Sequence, residues 1–156
     1  MKSISRFLMF FLILSAVTCL FSCEKNTSVN GKGTAEFSIS LPDEGAKSAF
    51  SSDDGTAAYQ IMLSIEDING TVVINDKLIP LYIFGTGFVS ENIELKSGQY
   101  NLTKFLVINP EGEVVFASPV EGSELAYLVK DPLPLNFKII AESITRVIPE
   151  VLNVGT

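Results

Sequence analysis

The chain predicts an all-β fold, a single antiparallel β-sandwich of two sheets occupying residues 34–156. Three observations point there. Apolar residues alternate with polar ones in eight or nine short runs, the period of two that turns one face of a strand to a core. Glycine, proline, asparagine and aspartate separate those runs at the spacing of an all-β protein. About 134 residues follow the apolar leader, enough for one domain with a sizeable core but not comfortably for two.

The first run opens at Thr34, where Ala35, Phe37, Ile39 and Leu41 alternate with Thr34, Glu36, Ser38 and Ser40 until Pro42 ends it. Residues 43–56, rich in Ser, Gly and Asp, read as a long acidic loop. Alternation resumes at Tyr59 with Ile61, Leu63 and Ile65. Asn69-Gly70 then supplies two residues that tolerate positive φ in a type I′ turn, and Thr71 to Ile74 returns as the partner strand. Leu78 to Phe84 is an apolar run interrupted by Pro80 and closed by Gly85-Thr86-Gly87. Phe88 to Leu95 and Gln99 to Asn109 flank Lys96-Ser97-Gly98 as an expected hairpin, and Pro110-Glu111-Gly112 turns the chain into Val114 to Ala117.

Ser123 can cap a short helix that places Leu125, Leu128 and Val129 on one face, with Asp131-Pro132 ending it, in a connection that passes between the two sheets. Leu135, Phe137 and Ile139 alternate again. Ile144 to Leu152 is the last strand, and Pro149, which has no N–H to give a central ladder, places it at an edge or on a bulge.

The leader has a different character. Lys2 and Arg6 precede fourteen residues, Phe7 to Leu20, with nothing more polar than Ser15 and Thr18. A positive n-region followed by an apolar h-region is the layout of a secretory signal, and the run ends at Glu24-Lys25-Asn26, short of the roughly 20 residues a spanning helix needs. Leu20-Phe21-Ser22-Cys23 resembles the bacterial lipoprotein signal, with Leu20 at minus three, the small Ser22 at minus one and Cys23 as the lipid acceptor. Cys19 competes, but Thr18 is a poor minus-one residue.

The resemblance implies a signal peptide over 1–22, palmitate-type acylation of Cys23, and residues 23–33 as lipidated cysteine and flexible tether. Glu24 after the cysteine implies the outer membrane, with the domain facing the periplasm or the cell surface. Glu24 to Gly33 is polar and glycine-rich, the composition of a linker.

Composition excludes chemistry. The sequence has no histidine, and the thiol of Cys23 is blocked if it carries lipid, so Ser-His and Cys-His triads, ordinary zinc sites and disulfide staples are not expected. With the leader removed, nine basic residues face eighteen acidic ones. A domain of about minus nine is repelled by nucleic acid and by anionic lipid headgroups, and both are set aside as partners of the domain.

The close carboxylates Glu66 and Asp67, Glu91 and Glu94, Glu111 and Glu113, and Glu121 and Glu124 lie in turns or on polar strand faces and read as surface acids. Asp53-Asp54-Gly55 and Asp67-Ile68-Asn69-Gly70 offer oxygen ligands but not the spacing of an EF-hand, and turn chemistry accounts for both. No catalytic residue, metal ligand or cofactor is assigned. Tyr59, Tyr82, Tyr100, Tyr127, Phe84 and Phe88 are the aromatics a glycan could stack on, although alternating aromatics are more often core.

The stretch Ile93-Glu94-Leu95-Lys96-Ser97-Gly98-Gln99-Tyr100-Asn101-Leu102-Thr103 resembles the leucine, glycine, x, tyrosine hairpin of prealbumin-like and fimbrillin-like sandwiches in Bacteroidetes lipoproteins. It implies an Ig-like or prealbumin-like sandwich, anchored through Cys23, with a non-catalytic adhesion, assembly or scaffold role toward a protein or glycan at the cell surface. The second reading is a glycan- or ligand-binding accessory of a surface uptake system. A small hydrolase is third.

Overall fold

The computed structural model describes residues 31–39, 59–85 and 87–155. The leader, Cys23, most of the tether and the acidic loop at 43–56 lie outside the described residues.

Ten strands follow in order: β1 (Lys32–Ile39), β2 (Tyr59–Asp67), β3 (Val72–Phe84), β4 (Gly87–Ser90), β5 (Ile93–Lys96), β6 (Gly98–Ile108), β7 (Val114–Ala117), β8 (Leu135–Ile139), β9 (Ile144–Val147) and β10 (Leu152–Asn153). The fold is all-β, with two packed sheets in a sandwich-like arrangement. The larger sheet runs β4-β3-β2-β6, and the far edge of β6 is shared, with β8 beside Gly98 to Leu102 and β7, followed by β10, beside Leu106 to Ile108. The smaller sheet is β5-β1-β9.

β1 belongs to both sheets. Its first half pairs β5 and β9, and Ser38 and Ile39 pair β4. Three steps along β1 from Ala35 to Ser38 match four from Ile93 back to Val89, so one residue is extra and the strand bends there. The hydroxyl of buried Ser90 repairs the ladder at this bulge, accepting the Phe37 N–H at 3.0 Å and donating to the Glu91 carbonyl at 2.8 Å. β1 also takes in Lys32 and Gly33, which composition alone placed with the polar stretch before it. Gly33 is needed at that position: a Cβ there would stand 2.1 Å from the Ile140 carbonyl oxygen.

The alternation read from the sequence fills the core. Ala35, Phe37 and Ile39, then Ile61, Leu63 and Ile65, then Leu102, Phe105 and Val107 are buried from three strands. Phe37 anchors an aromatic group in which its ring lies 5.9 Å from Phe105 and 6.2 Å, edge-on, from Phe137, while Phe137 stacks on Tyr100 at 5.8 Å. Such pairs add about 1 kcal/mol each beyond the area they bury.

Several expectations are corrected. Lys96-Ser97-Gly98 is not a hairpin. β5 pairs β1 and β6 pairs β2, so the chain bends at Ser97 and passes from one sheet to the other. The Tyr100 hydroxyl fixes this corner by donating to the Lys96 carbonyl at 2.9 Å. Glycine and serine serve a corner as well as a turn, and which strand lies alongside is not written locally. The sandwich is also not wholly antiparallel, because β9 runs parallel to β1 from Ile144 beside Thr34 to Val147 beside Phe37.

The turn at Asn69-Gly70 is not type I′. Only Gly70 has positive φ, and the Gly70 N–H bonds the Asp67 carbonyl at 3.0 Å, a type I turn closed by a left-handed glycine. The helix expected after Ser123 is a single 3-10 turn, Ala126–Leu128, without a side-chain cap. Its connection joins β7 to β8 on the same edge of β6, not one sheet to the other. The last strand is broken at Pro149 into β9 and β10, which pair β1 and β7 respectively.

Candidate functional site

The sandwich has two ends. β2 runs from Tyr59 to Asp67 and β6 runs back beside it, so the β2–β3 turn lies at the end where β1 begins, and the β6–β7 turn lies at the other, hereafter the distal end. A concave surface lies near that distal end.

It forms on the outer face of the larger sheet. Ile61, Ile79, Leu81 and Val107 point inward, so their neighbours Gln60, Met62, Leu78, Pro80 and Ile108 point outward. The register sets Leu78 beside Met62, and Gln60 beside Ile108 on one flank and Pro80 on the other. Asn109, Pro110 and Gly112 of the β6–β7 turn wall off one side, enclosing a hollow of about 490 Å³.

That wall is a braced turn. The Asn109 carboxamide oxygen accepts the Glu113 N–H at 2.7 Å, its Nδ2 donates to the Glu113 carboxylate at 3.1 Å, and Gly112 takes φ of 86°. Met62, Leu78 and Ile108 are apolar side chains of the lining, and Gln60 and Asn109 are the polar ones.

Beyond the hollow the outer face of β3 continues as Tyr82 and Phe84. Tyr82 lies beside Val89 and donates its hydroxyl to the Glu91 carboxylate at 2.8 Å, which raises the phenol's pKa above its ordinary value, the Glu91 bond being the larger cause and burial the next. Ile83 and Phe84, at the turn into β4, are 58% and 68% exposed. Two adjacent large apolar side chains thus stand in water at a strand end, where they are costly to solvate. Tyr59 borders the same end, its pKa raised by burial and then by the charge of Glu111.

The remaining candidates fall out as structural. Tyr100 and Phe88 are core. Tyr127 is exposed on the 3-10 turn, away from the hollow. Asp67 accepts the N–H groups of Asn69 at 2.8 Å and Thr71 at 2.9 Å, which hold its carboxyl below the usual range, with the Thr71 bond the larger cause.

Asp76 is likewise held low, first by the Lys104 ammonium at 2.6 Å and then by the Ser64 hydroxyl. Glu94 pairs Lys32 at 2.6 Å and Glu91 takes Tyr82. Glu150, which motif reading did not single out, accepts the Asp131 and Lys130 N–H groups, in that order of effect, and is lowered by them. Among the described residues no three His, Cys, Asp or Glu side chains gather as a metal site. Cys23 and Asp53-Asp54-Gly55 lie outside the described residues.

Sequence reading missed the hollow and Ile83. The available signal was Leu78 to Phe84, seven residues apolar on both faces of a strand whose outer face, among the described residues, has no second layer over it.

No protein-family model matches the chain, and no curated protein matches it. Among solved structures it is similar to part of a leucine-rich repeat protein from Bacteroides thetaiotaomicron VPI-5482, with a TM-score of 0.49 and 16% identity. The match covers 78% of this chain and 12% of that one.

Proposed function

We propose that the chain is a lipid-anchored cell-envelope module whose sandwich, Ig-like or prealbumin-like, serves adhesion, assembly or scaffolding without catalysis. In this reading the signal peptide is removed before Cys23, acyl chains on that thiol hold the protein in the outer membrane, and the distal end meets a protein partner. Two or more acyl chains, at about 0.8 kcal/mol per buried CH₂, anchor a protein stably.

The observation that carries the reading is the apolar tip Ile83-Phe84, continuous with Tyr82 on β3. A large aromatic at the centre of a contact supplies most of its binding energy. Pull-down from envelope extracts with the purified chain and with Phe84→Ser tests it: a specific envelope protein retained by the first and lost with the second is the expected result. Equal retention by both would sink the assignment of this tip.

The hollow favours a second reading, a glycan- or ligand-binding accessory of a surface uptake system. Its size is within the range of small-ligand sites, and Gln60 lines it beside the apolar Met62, Leu78 and Ile108. A broad glycan array with no binding dependent on Gln60 removes that reading.

A further inference from the structure

The chain enters the sandwich at Gly31, whose carbonyl accepts the Ser97 N–H at 2.7 Å. Lys32 lies beside Lys96, Gly98 beside Ile139, and Tyr100 beside Asp67, so β1, β5, β8 and the β2–β3 turn meet at this one end. The same end holds apolar side chains in water. Ile68 is 57% exposed and Val72 56% at the β2–β3 turn, and Ile140 47% and Ile144 62% flank the β8–β9 turn.

The fold does not require them. Asp67 and Gly70 make the first turn, and the second closes through Glu142, whose N–H bonds the Lys32 carbonyl at 2.8 Å. Two turns distant in sequence thus present aliphatic tips at the same end, on either side of β6.

Among the described residues this end is less acidic than the chain as a whole, with three lysines, Lys32, Lys96 and Lys138, against four acids, Glu66, Asp67, Glu94 and Glu142. Glu94 is engaged by Lys32 and Asp67 by its own turn's amides, while Lys96 and Lys138 are exposed and, among the described residues, have no acid within ion-pair distance. Glu66 and Glu142 are the other acids here among the described residues. Gly31 follows Cys23 by eight residues, a span of at most about 29 Å even when fully extended.

We propose that this end docks on the bilayer that holds the acyl chains of Cys23. Ile68, Val72, Ile140 and Ile144 sit at the boundary between headgroups and acyl chains, and the ammonium groups of Lys96 and Lys138 reach the lipid phosphates. The inference rests on the lipidation reading, because the anchor supplies the proximity. A short tether makes the second contact intramolecular, so weak interfacial burial suffices. Lysine stems lie along apolar surface while their charged heads stay among the headgroups. The consequence is orientation: the sandwich stands on the membrane and carries Ile83, Phe84 and the hollow away from it.

The test uses the lipidated protein in phosphatidylethanolamine–phosphatidylglycerol vesicles, with one environment-sensitive fluorophore placed in turn at Val72→Cys, Ile144→Cys and Glu111→Cys. Cys23 is blocked by its lipid, so each introduced thiol labels alone. Labels at 72 and 144 should shift to the blue and lose emission to nitroxide-labelled lipid, whereas the label at 111 should do neither.

Equal solvent exposure at all three, with the Cys23 lipid confirmed by mass, overturns the docking and leaves the anchor standing. A chain that washes from the vesicles with an unmodified Cys23 overturns both. A label at 72 shielded from water but untouched by nitroxide lipid means that a second copy covers the face, which also overturns the proposal.

Discussion

The β2–β3 and β6–β7 turns are built alike and dressed differently. Each is a five-residue segment with Asx first and glycine fourth, Asp67-Ile68-Asn69-Gly70-Thr71 and Asn109-Pro110-Glu111-Gly112-Glu113. In each the first side chain accepts the N–H of the last residue, at 2.9 Å from Thr71 and 2.7 Å from Glu113, and the glycine takes φ of 79° or 86°. The first exposes Ile68 and Val72 beside the point where the chain enters, and the second exposes Glu111 and Glu113 at the distal end. Backbone chemistry sets the turn, so the remaining side chains are free to serve the surroundings of each end.

The largest expected effect breaks one end alone. Gly33→Ala drives a methyl into the Ile140 carbonyl, which backbone on both sides must yield to accommodate. A loss of about 3 kcal/mol is expected, measured by urea unfolding, with amide exchange accelerating first in β1 and β9. Uniform loosening of both ends would contradict the placement of that contact.

Gly70→Ala and Gly112→Ala sharpen the comparison. Neither Cβ meets an atom within 4 Å, so each carries only the left-handed backbone cost, about 1–2 kcal/mol. Equal losses in thermal unfolding are expected, and a several-fold difference between them would mean that the turns are not equivalent. Smaller still, Tyr100→Phe removes the hydroxyl from the Lys96 carbonyl at the Ser97 corner for about 1 kcal/mol. The ring's stacking on Phe137 stays, so the amide resonances of Phe137 and Leu102 should scarcely move while the unfolding midpoint falls.

The smallest effect separates the two turns by pH. The folded Asp67 carboxyl is held below its usual value by the Thr71 N–H, and next by that of Asn69. Its stabilising contribution is therefore complete above the unfolded carboxyl's pKa of about 4 and is lost as pH falls through the lower folded value. Asn109 does not titrate in this range. The Thr71 amide resonance should move in acid, and Asp67→Asn should abolish that response. A Thr71 amide indifferent to acid in the unsubstituted chain would refute this assignment.

Much of the strand content was legible because it is local. Ile61, Leu63 and Ile65 alternate, and burial follows directly from that alternation. The Asx and glycine positions that shape both turns were also visible, yet Asn69-Gly70 suggested a two-residue turn because the Asp67 side chain that widens it acts through hydrogen bonds to the turn's amides. The hollow was not legible, since Gln60, Met62, Leu78 and Ile108 come from three strands and meet only through register. The Ser97 corner was misread for a related reason: a glycine after a serine permits a bend but does not choose the strand alongside.

By itself the sequence determined an all-β chain, the residues that face its core, an acidic surface and the lack of any histidine, since composition and a period of two need no knowledge of neighbours. Tertiary structure alone decided the rest. It paired β9 with β1 in parallel, carried β5 into β6 across a corner, and sorted Ile68 and Val72 from Ile83 and Phe84 to opposite ends. Those outcomes depend on contacts between segments tens of residues apart, whose free energy appears only when both are in place.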